Sequence, residues 1–198
     1  MSQATITSRE RAEAVAAQEI RKDSELILRA RQGDQAAFGA LIERYWQSLA
    51  RVVFRLTGDR QQAEDAAQEA CLRAWQKLDS YKPDLSFRNW LFRIGVNAAI
   101  DMQRRRRPQT SIECIPLASN ATSPESLVEN HERAARVRQA VLALPPASRA
   151  VLALREYEGL SYQEIAATLD IPLGTVMSRL NYARTRLRAE LQAYLEAE

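Results

Sequence analysis

Four arginines near the C-terminus carry the clearest chemical signal in the sequence. Residues 172 to 188 contain Arg179, Arg184, Arg186 and Arg188 and no acidic residue. On a helix with about 100° per residue, these arginines flank a neutral face that can form hydrogen bonds. That face consists of Gly174, Ser178, Asn181, Tyr182 and Thr185. Base edges would meet its centre and phosphates its rims, so the pattern favours DNA binding over a packing helix with one solvated face.

The residues around this helix predict a helix-turn-helix. Its inward face is expected to consist of Val176, Leu180, Ala183 and Leu187, with Leu173 close by. A shorter helix precedes it, with an apolar face of Ile165, Ala166 and Leu169. Ser161 and Glu164 have the spacing of a capping box at its start, and Pro172 suits the first position of the second helix. Two short helices joined by a tight turn are typical of DNA-binding domains.

A second basic segment lies near the middle of the chain. Residues 82 to 107 contain Lys82, Arg88, Arg93 and the run from Arg104 to Arg107, against only Asp84 and Asp101. Tyr81, Phe87 and Trp90 are interleaved with these cations. Rings stack on unpaired bases and cations hold the backbone, so the segment favours single-stranded nucleic acid. We expect at least two of the three aromatics to be core residues. The arginine run alone also fits a solvated helix end.

A third candidate surface precedes this segment. The stretch "QQAEDAAQEACLRAWQKL" predicts a helix with one face of small apolar residues. Beside that face lies a second one, which carries acidic and amide side chains and one leucine: Asp65, Gln68, Glu69 and Leu72. Such a face could bind a basic helical partner. By itself it fits an exposed helix face equally well.

Helical periodicity predicts an all-α protein of two small domains. Helices are expected near 24–32, 35–56, 60–78 and 86–106, and from about 127 onwards with a break at Pro145 and Pro146. Residues 108–126 have the composition of a flexible linker, with Pro108, Pro116 and Pro124 among serines and threonines. The predicted organisation is a weakly ordered tail at 1–23, a domain at 24–107, the linker, and a second domain at 127–198.

Composition argues against several other classes. The chain has 198 residues and a net charge of only +3, so the location of the charges matters more than their sum. Two cysteines and one histidine provide no disulfide framework or metal spacing. We find no paired carboxylates, no nucleophile constellation and no phosphate-binding glycine loop, so we expect neither an enzyme nor a cofactor. Without a signal-peptide or membrane-span pattern, a cytoplasmic protein is expected.

Four motifs together resemble one family. They are "GDQAAFGALIERY", "AEDAAQEACLRAW", "SFRNWLFRIGVNAAID" and "GLSYQEIAATLDIPLGTVMSRLNYAR". Residues 24–107 resemble region 2, and residues 127–195 resemble region 4, of the small two-domain bacterial sigma factors of the extracytoplasmic-function group. Such proteins bind RNA polymerase and direct it to promoters.

The resemblance implies roles for particular residues. Asp65, Gln68, Glu69 and Leu72 would bind core polymerase, at the clamp coiled coil of its largest subunit. The flap of the polymerase would be a second contact. The minus-ten element would be recognised and melted by Tyr81, Lys82, Phe87, Arg88, Trp90, Arg93, Asn97 and Arg104. Melting would use binding energy and the polymerase without ATP, since the sequence has no phosphate-binding glycine loop. A flipped base would need a shaped pocket in the loop to repay the stacking energy that is lost.

The same resemblance assigns the minus-thirty-five element to the helix-turn-helix. Ser178, Asn181 and Tyr182 would read bases in the major groove, beside Thr175 and Met177. Phosphate contacts would come from Arg155, Ser161, Tyr162, Arg179 and Arg184. Met177 and Tyr182 stand where many members carry Arg or Lys, so base preference and salt dependence should differ here.

The resemblance also implies control by an anti-sigma factor, although no residue demonstrates one. The competing interpretation is a stand-alone helix-turn-helix regulator whose N-terminal half senses a ligand or dimerises. The aromatic and basic loop at 81 to 93 argues against that interpretation, because a sensor needs a pocket and not a strand-binding surface.

Overall fold

A computed structural model describes the backbone of residues 23–105 and 124–195. Those residues form eight α-helices and one 3-10 turn, with no strand, so the all-α prediction is confirmed for them. The helices are α1 (23–31), α2 (Gln35–Thr57), α3 (Arg60–Gln76), α4 (Phe87–Arg105), α5 (Pro124–Leu142), α6 (Pro146–Glu156), α7 (Tyr162–Leu169) and α8 (Leu173–Leu195). Of the predicted tail at 1–23, residues 1–22 lie outside the described residues, as does most of the predicted linker. Asp23 is buried and begins α1, so the tail boundary was placed one residue too late.

Two element boundaries differ from the sequence prediction. Helix α3 ends at Gln76, and a 3-10 turn, Leu78–Ser80, continues the chain from it. Helix α5 begins at Pro124, inside the segment that composition marks as linker. A proline fits the first turn of a helix because the amide it lacks would have no partner there. Pro124 therefore lies in the first turn of a helix, whereas we expected it to belong to an irregular linker.

Aspartate caps fix where the first long helices begin. The side chain of Asp34 accepts a hydrogen bond from the Ala37 amide at 3.0 Å, and that of Asp59 accepts one from the Gln62 amide at 2.7 Å. The Ala37 amide, followed by Arg29, lowers the pKa of Asp34. Gly58, at a φ of 73°, ends α2 in the left-handed conformation that glycine adopts without steric cost. The connection between α2 and α3 is therefore short and defined.

Small side chains let α3 approach its neighbours closely. Its buried face consists of Ala63, Ala66, Ala67, Ala70 and Ala74, and it packs on both α2 and α4. The bulk of this core comes instead from α2 and α4, which contribute the fully buried Leu41, Leu49, Leu56, Phe87, Leu91 and Phe92. The opposite face of α3 is thereby held outward in a fixed orientation.

At Gly95, α4 packs closely against a leucine of α2. A Cβ at this position would lie 2.5 Å from Cδ1 of Leu49, which is fully buried. We expect Gly95→Ala to destabilise the protein by about 1–3 kcal/mol through overpacking, measured as the free energy of unfolding in urea. The matched control is Gly39→Ala, at an exposed position of α2 where a Cβ would have nothing within 4 Å. This substitution should stabilise the protein by about 0.5–1 kcal/mol. Equal effects of the two substitutions would contradict the packing assigned to Gly95.

The two halves of the chain contact each other, which the sequence did not predict. Helix α2 packs on α6 and α5, and α4 packs on α7. Arg149 of α6 is 6% exposed and donates to the carbonyl of Leu56 at the end of α2, and to that of Leu144 at 2.9 Å. Burial lowers the pKa of this guanidinium. Beside it, the Arg55 guanidinium lies 4.2 Å from the centre of the Tyr157 ring.

Candidate polymerase and promoter interfaces

The acidic and amide face of α3 points away from the core. Leu72 is 60% exposed, and Gln68 is exposed beside it. Gln61 donates to Asp65 at 3.1 Å, while Arg73 joins Glu69, at 2.7 Å, to Asp101 of α4, at 3.2 Å. These contacts fix the positions of the carboxylates around the exposed side chain of Leu72.

A cavity of about 360 Å³ extends this face onto α4. Its lining consists of Asp65, Glu69, Arg73, Ala98, Asp101, Met102 and Arg105. Glu69, followed by Asp101, raises the pKa of Arg73 through hydrogen bonds. The surface therefore presents fixed carboxylates and one large apolar side chain, which suits a helical partner that carries cations.

Most of the aromatic residues near the loop at 81–87 form part of the core. Phe87 is 1% exposed and Tyr81 8%, whereas Trp90 is partly exposed. The Tyr81 and Trp90 ring centres lie 5.2 Å apart, and those of Tyr45 and Phe87 lie 6.0 Å apart. The Tyr81 hydroxyl donates to the Leu85 carbonyl at 2.7 Å, which closes the loop. Two of the three aromatics are thus core residues, as expected, and Trp90 is the one with an exposed part.

The cations and the amide predicted to contact the minus-ten element divide into two groups. Lys82, Asn97 and Arg104 are exposed. Arg88 and Arg93 instead contact the second half of the chain. Arg88 pairs with Glu158, and Arg93 donates to the carbonyls of Thr168, at 2.8 Å, and Ala167. Six of the predicted minus-ten residues therefore lie on α4, and Tyr81 and Lys82 lie in the loop before it. Arg88 and Arg93 have partners in the second half of the chain.

The predicted helix-turn-helix is present. Ser161 and Glu164 form both hydrogen bonds of the capping box at the start of α7. Bonds from Ser161 lower the pKa of Glu164. Asp170 ends α7 at a φ of 55°, a left-handed conformation that a short polar side chain tolerates. The Ile171 amide then donates to the Ala166 carbonyl at 3.1 Å, which leads the chain into α8.

Helix α8 has the predicted two faces. Val176, Leu180 and Ala183 are at most 1% exposed, and Leu187 is half-buried. Leu173, which we placed near the inward face, is 43% exposed because it lies in the first turn, beyond the edge of the contact. The exposed face carries Gly174, Met177, Ser178, Asn181, Tyr182, Arg184, Thr185, Arg186 and Arg188, with Thr175 and Arg179 half-buried. Tyr182 is 45% and Met177 53% exposed.

Three predicted phosphate contacts form one cluster beside α8. The Arg155 guanidinium lies 5.3 Å from the centre of the Tyr162 ring, and its Nη1 donates to the Leu160 carbonyl at 2.8 Å. Arg184 approaches the Tyr162 hydroxyl at 3.4 Å and pairs with Glu156 at 2.8 Å. Sequence reasoning missed Glu156 and Glu158. Their only sequence signal is a pair of carboxylates within the three residues before Gly159.

Other chemistry finds no support in the described part of the chain. Within residues 23–105 and 124–195, no cluster of three potential metal ligands is present, and no helix is long and apolar enough to cross a membrane. Burial raises the pKa of the Cys71 thiol to about 11, so this partly buried side chain stays protonated at neutral pH.

These features define a two-domain helical protein with a helix-turn-helix and a separate exposed face of acidic and amide side chains on α3. Comparison with protein families places residues 41–109 in Sigma-70 region 2 and residues 134–187 in Sigma-70 region 4. The RNA polymerase sigma-H factor of Pseudomonas aeruginosa is 36% identical over 185 residues, covering 88% of this chain and 96% of that protein. The ECF RNA polymerase sigma-E factor of Escherichia coli K12 is 37% identical over 183 residues, covering 86% and 94%.

Solved structures agree with this result. CnrH, in complex with the cytosolic domain of CnrY, matches 87% of this chain and 98% of its own at 32% identity and a TM-score of 0.66. RpoE from Bartonella quintana, in complex with the anti-sigma factor NepR, shares the fold at 24% identity and a TM-score of 0.64. The chain belongs to the sigma-70 family of RNA polymerase sigma factors, in its extracytoplasmic-function group.

Proposed function

We propose that this sigma factor binds core polymerase chiefly through Asp65, Gln68, Glu69 and Leu72 on α3. The observation that carries this assignment is a 60% exposed leucine among positioned carboxylates, on a helix whose other face is fully packed. An exposed apolar side chain with charged neighbours matches the apolar centre and polar rim of protein–protein interfaces. The partner surface would be the clamp coiled coil of the largest subunit, and the flap would contact the second domain.

In this proposal α4 and its loop recognise the minus-ten element. Lys82, Asn97 and Arg104 are exposed and available to the separated strand. Trp90 is the aromatic with an exposed part, so it is the ring that supports stacking on a base. Tyr81 and Phe87 act indirectly, because their burial sets the shape of the loop. Arg88 and Arg93 become available when the two halves of the chain separate.

The minus-thirty-five element is read by α8 in the major groove. Ser178, Asn181 and Tyr182 lie at the centre of its exposed face, beside Met177 and Thr175. Arg179 and Arg184 lie on its edges, and Arg155, Ser161 and Tyr162 support the phosphate side. A side-chain amide can bond an adenine edge at two points, which makes Asn181 the best candidate for base discrimination.

Asn181→Ala should therefore lower promoter binding by about tenfold and relax preference at one base pair. Arg186→Ala should weaken binding equally for all sequences and reduce its salt dependence. Holoenzyme binding to a library of minus-thirty-five variants, at two salt concentrations, separates these effects. An Asn181→Ala variant with the original base preference at every position would contradict the assignment.

The relatives suggest how such a factor is regulated. CnrH was solved with the cytosolic domain of CnrY, and RpoE with the anti-sigma factor NepR. By analogy, an anti-sigma factor would hold this protein inactive in the cytoplasm until a stress or envelope signal releases it. The protein would act by binding alone, as a specificity subunit of polymerase and not as an enzyme.

Run-off transcription tests the whole proposal. Purified bacterial core polymerase is supplied with promoter fragments from the source genome, with and without this protein. Protein-dependent transcripts that share a two-element motif are expected. If no transcript depends on the protein, while the protein alone binds discrete duplex sites, a stand-alone regulator would replace the sigma role.

A further inference from the structure

An arginine at the end of α1 bonds the chain segment that leads into the minus-ten loop, residues 81–86. Nε of Arg31 donates to the Leu78 carbonyl at 3.2 Å. Its Nη2 donates to the Tyr81 carbonyl and lies 3.5 Å from that of Asp79. One guanidinium thus contacts three backbone oxygens between residues 78 and 81, which lie 47 to 50 residues further along the chain.

These oxygens need donors from outside their own turn. They belong to the 3-10 turn Leu78–Ser80 and to Tyr81, which ends it. The last carbonyls of a helical turn have no later amide of that turn to bond. The Leu78 carbonyl accepts one bond from the Tyr81 amide at 3.1 Å, and Arg31 supplies a second. A guanidinium suits this position because its fork of fixed donors can bond several oxygens at once.

Helix α1 is itself anchored to the first domain. At its start, the buried Asp23 accepts a hydrogen bond from the Tyr45 hydroxyl of α2 at 2.5 Å. Further along, Ile27 and Ala30 are 6% and 3% exposed in the core. A cavity of about 310 Å³ lies between α1 and the minus-ten loop. The loop therefore rests on α1 through Arg31, across this gap.

The segment that Arg31 bonds continues directly into residues assigned to the minus-ten element. Tyr81 closes the loop through its hydroxyl, which donates to the Leu85 carbonyl at 2.7 Å. Its ring centre lies 5.2 Å from that of Trp90, the ring that supports stacking on a base. Lys82 follows Tyr81 in the chain. A shift of the Tyr81 backbone would thus move the loop, Lys82 and the support of Trp90 together.

We propose that Arg31 is a positioning residue for minus-ten recognition, which holds the loop at 81–86 in the geometry that discriminates among bases. Arg31 contacts no base in this proposal and acts through the backbone of Tyr81. The inference deepens the proposed function and rests on it, since it concerns how the loop reads the separated strand. It adds α1, which precedes the residues 41–109 matched to Sigma-70 region 2, to the recognition unit.

Hydrogen exchange tests whether Arg31 holds the loop. The comparison is Arg31→Ala against Arg29→Ala, in the free full-length protein. Arg29 is the matched control because it is a 60% exposed arginine near the same end of α1, and it pairs with Asp34 at 2.7 Å. In peptides that cover residues 77–86, exchange should be about tenfold faster in Arg31→Ala than in the control, since bonds from a charged donor contribute on that scale.

Base discrimination separates a positioning role from structural support alone. Holoenzyme binding is measured on premelted promoter fragments that carry each base in turn at every minus-ten position. Arg31→Ala should lower the ratio between preferred and other bases about tenfold at one or two positions, because recognition depends on placement within less than an ångström. Arg31→Lys should restore part of this ratio, since an ammonium can bond one carbonyl but lacks the planar fork.

Two results would overturn the inference: loop exchange that is equal in Arg31→Ala and Arg29→Ala, or faster exchange with an unchanged base preference. Either result leaves the proposed function standing if run-off transcription succeeds. The exchange measurement uses the protein alone and does not depend on the sigma role. If exchange is faster but no transcript depends on the protein, Arg31 holds the loop, whereas the proposed function fails and the reading of bases with it. Should Arg31→Ala not fold, Arg31→Gln against Arg29→Gln gives the same comparison.

Discussion

Replacing Asp65 and Gln68 together with alanine should abolish polymerase-dependent transcription. We expect the affinity for core polymerase to fall about a hundredfold, which corresponds to about 2.7 kcal/mol. Neither side chain belongs to the core, and the small apolar face of α3 that packs on α2 and α4 is untouched. The loss should therefore come from the interface alone. Fluorescence-detected binding to purified core polymerase measures it, and circular dichroism verifies the fold.

The matched control is Glu64→Ala, which removes one carboxylate from the same helix about 100° away from Asp65. Glu64 forms an exposed ion pair with Arg60 at 2.9 Å, so its loss should cost little stability. Polymerase affinity should be nearly unchanged. If the double variant retained full affinity, α3 would not be the polymerase-binding surface, and the cavity between α3 and α4 would lose its assigned role.

Asn97→Ala should impair open-complex formation about tenfold on duplex promoters and much less on premelted ones. Asn97 is exposed on α4, in line with the polar stripe of Arg93 and Arg104. An amide there can stabilise the separated strand as it forms, and this contribution matters most when melting must still occur. Permanganate reactivity of unpaired thymines measures the open fraction on both templates.

Asn97 is a cleaner test of melting than Trp90. The Trp90 ring lies 5.2 Å from Tyr81 and 5.7 Å from Phe87, so its removal would also disturb the core beneath the loop. Gln47→Ala, which removes an exposed amide from α2, is the control for Asn97→Ala. An equal loss on duplex and premelted templates would assign Asn97 to strand capture and exclude a specific role in melting.

Local sequence features were sufficient to predict which face of α8 is buried and where α7 begins. The helical periodicity of α8 placed Val176, Leu180 and Ala183 inside and Asn181 and Tyr182 outside, as the structure has them. The capping box at Ser161 was predicted from two residues three positions apart and is present. Both features depend on interactions within a few residues, and a single sequence displays those directly.

The aromatic loop required the tertiary structure for its interpretation. Sequence showed Tyr81, Phe87 and Trp90 interleaved with cations, but not which rings were available. In the structure, Phe87 is buried against Tyr45 of α2, a helix distant from it in the sequence, while part of Trp90 is exposed. Residue type alone cannot settle this, because aromatic side chains suit both a core and a stacking surface.

The sequence by itself predicted the helices and the two-domain organisation, and its four motifs indicated the family. Only the tertiary structure brought Glu158 onto Arg88, and Ala167 and Thr168 onto Arg93. These partners are 70 or more residues apart in the chain. No periodicity or spacing rule connects such positions, because their contact depends on how two separately folded helical surfaces meet. The charge of each arginine was therefore evident from the sequence, and its availability to DNA was decided by the fold.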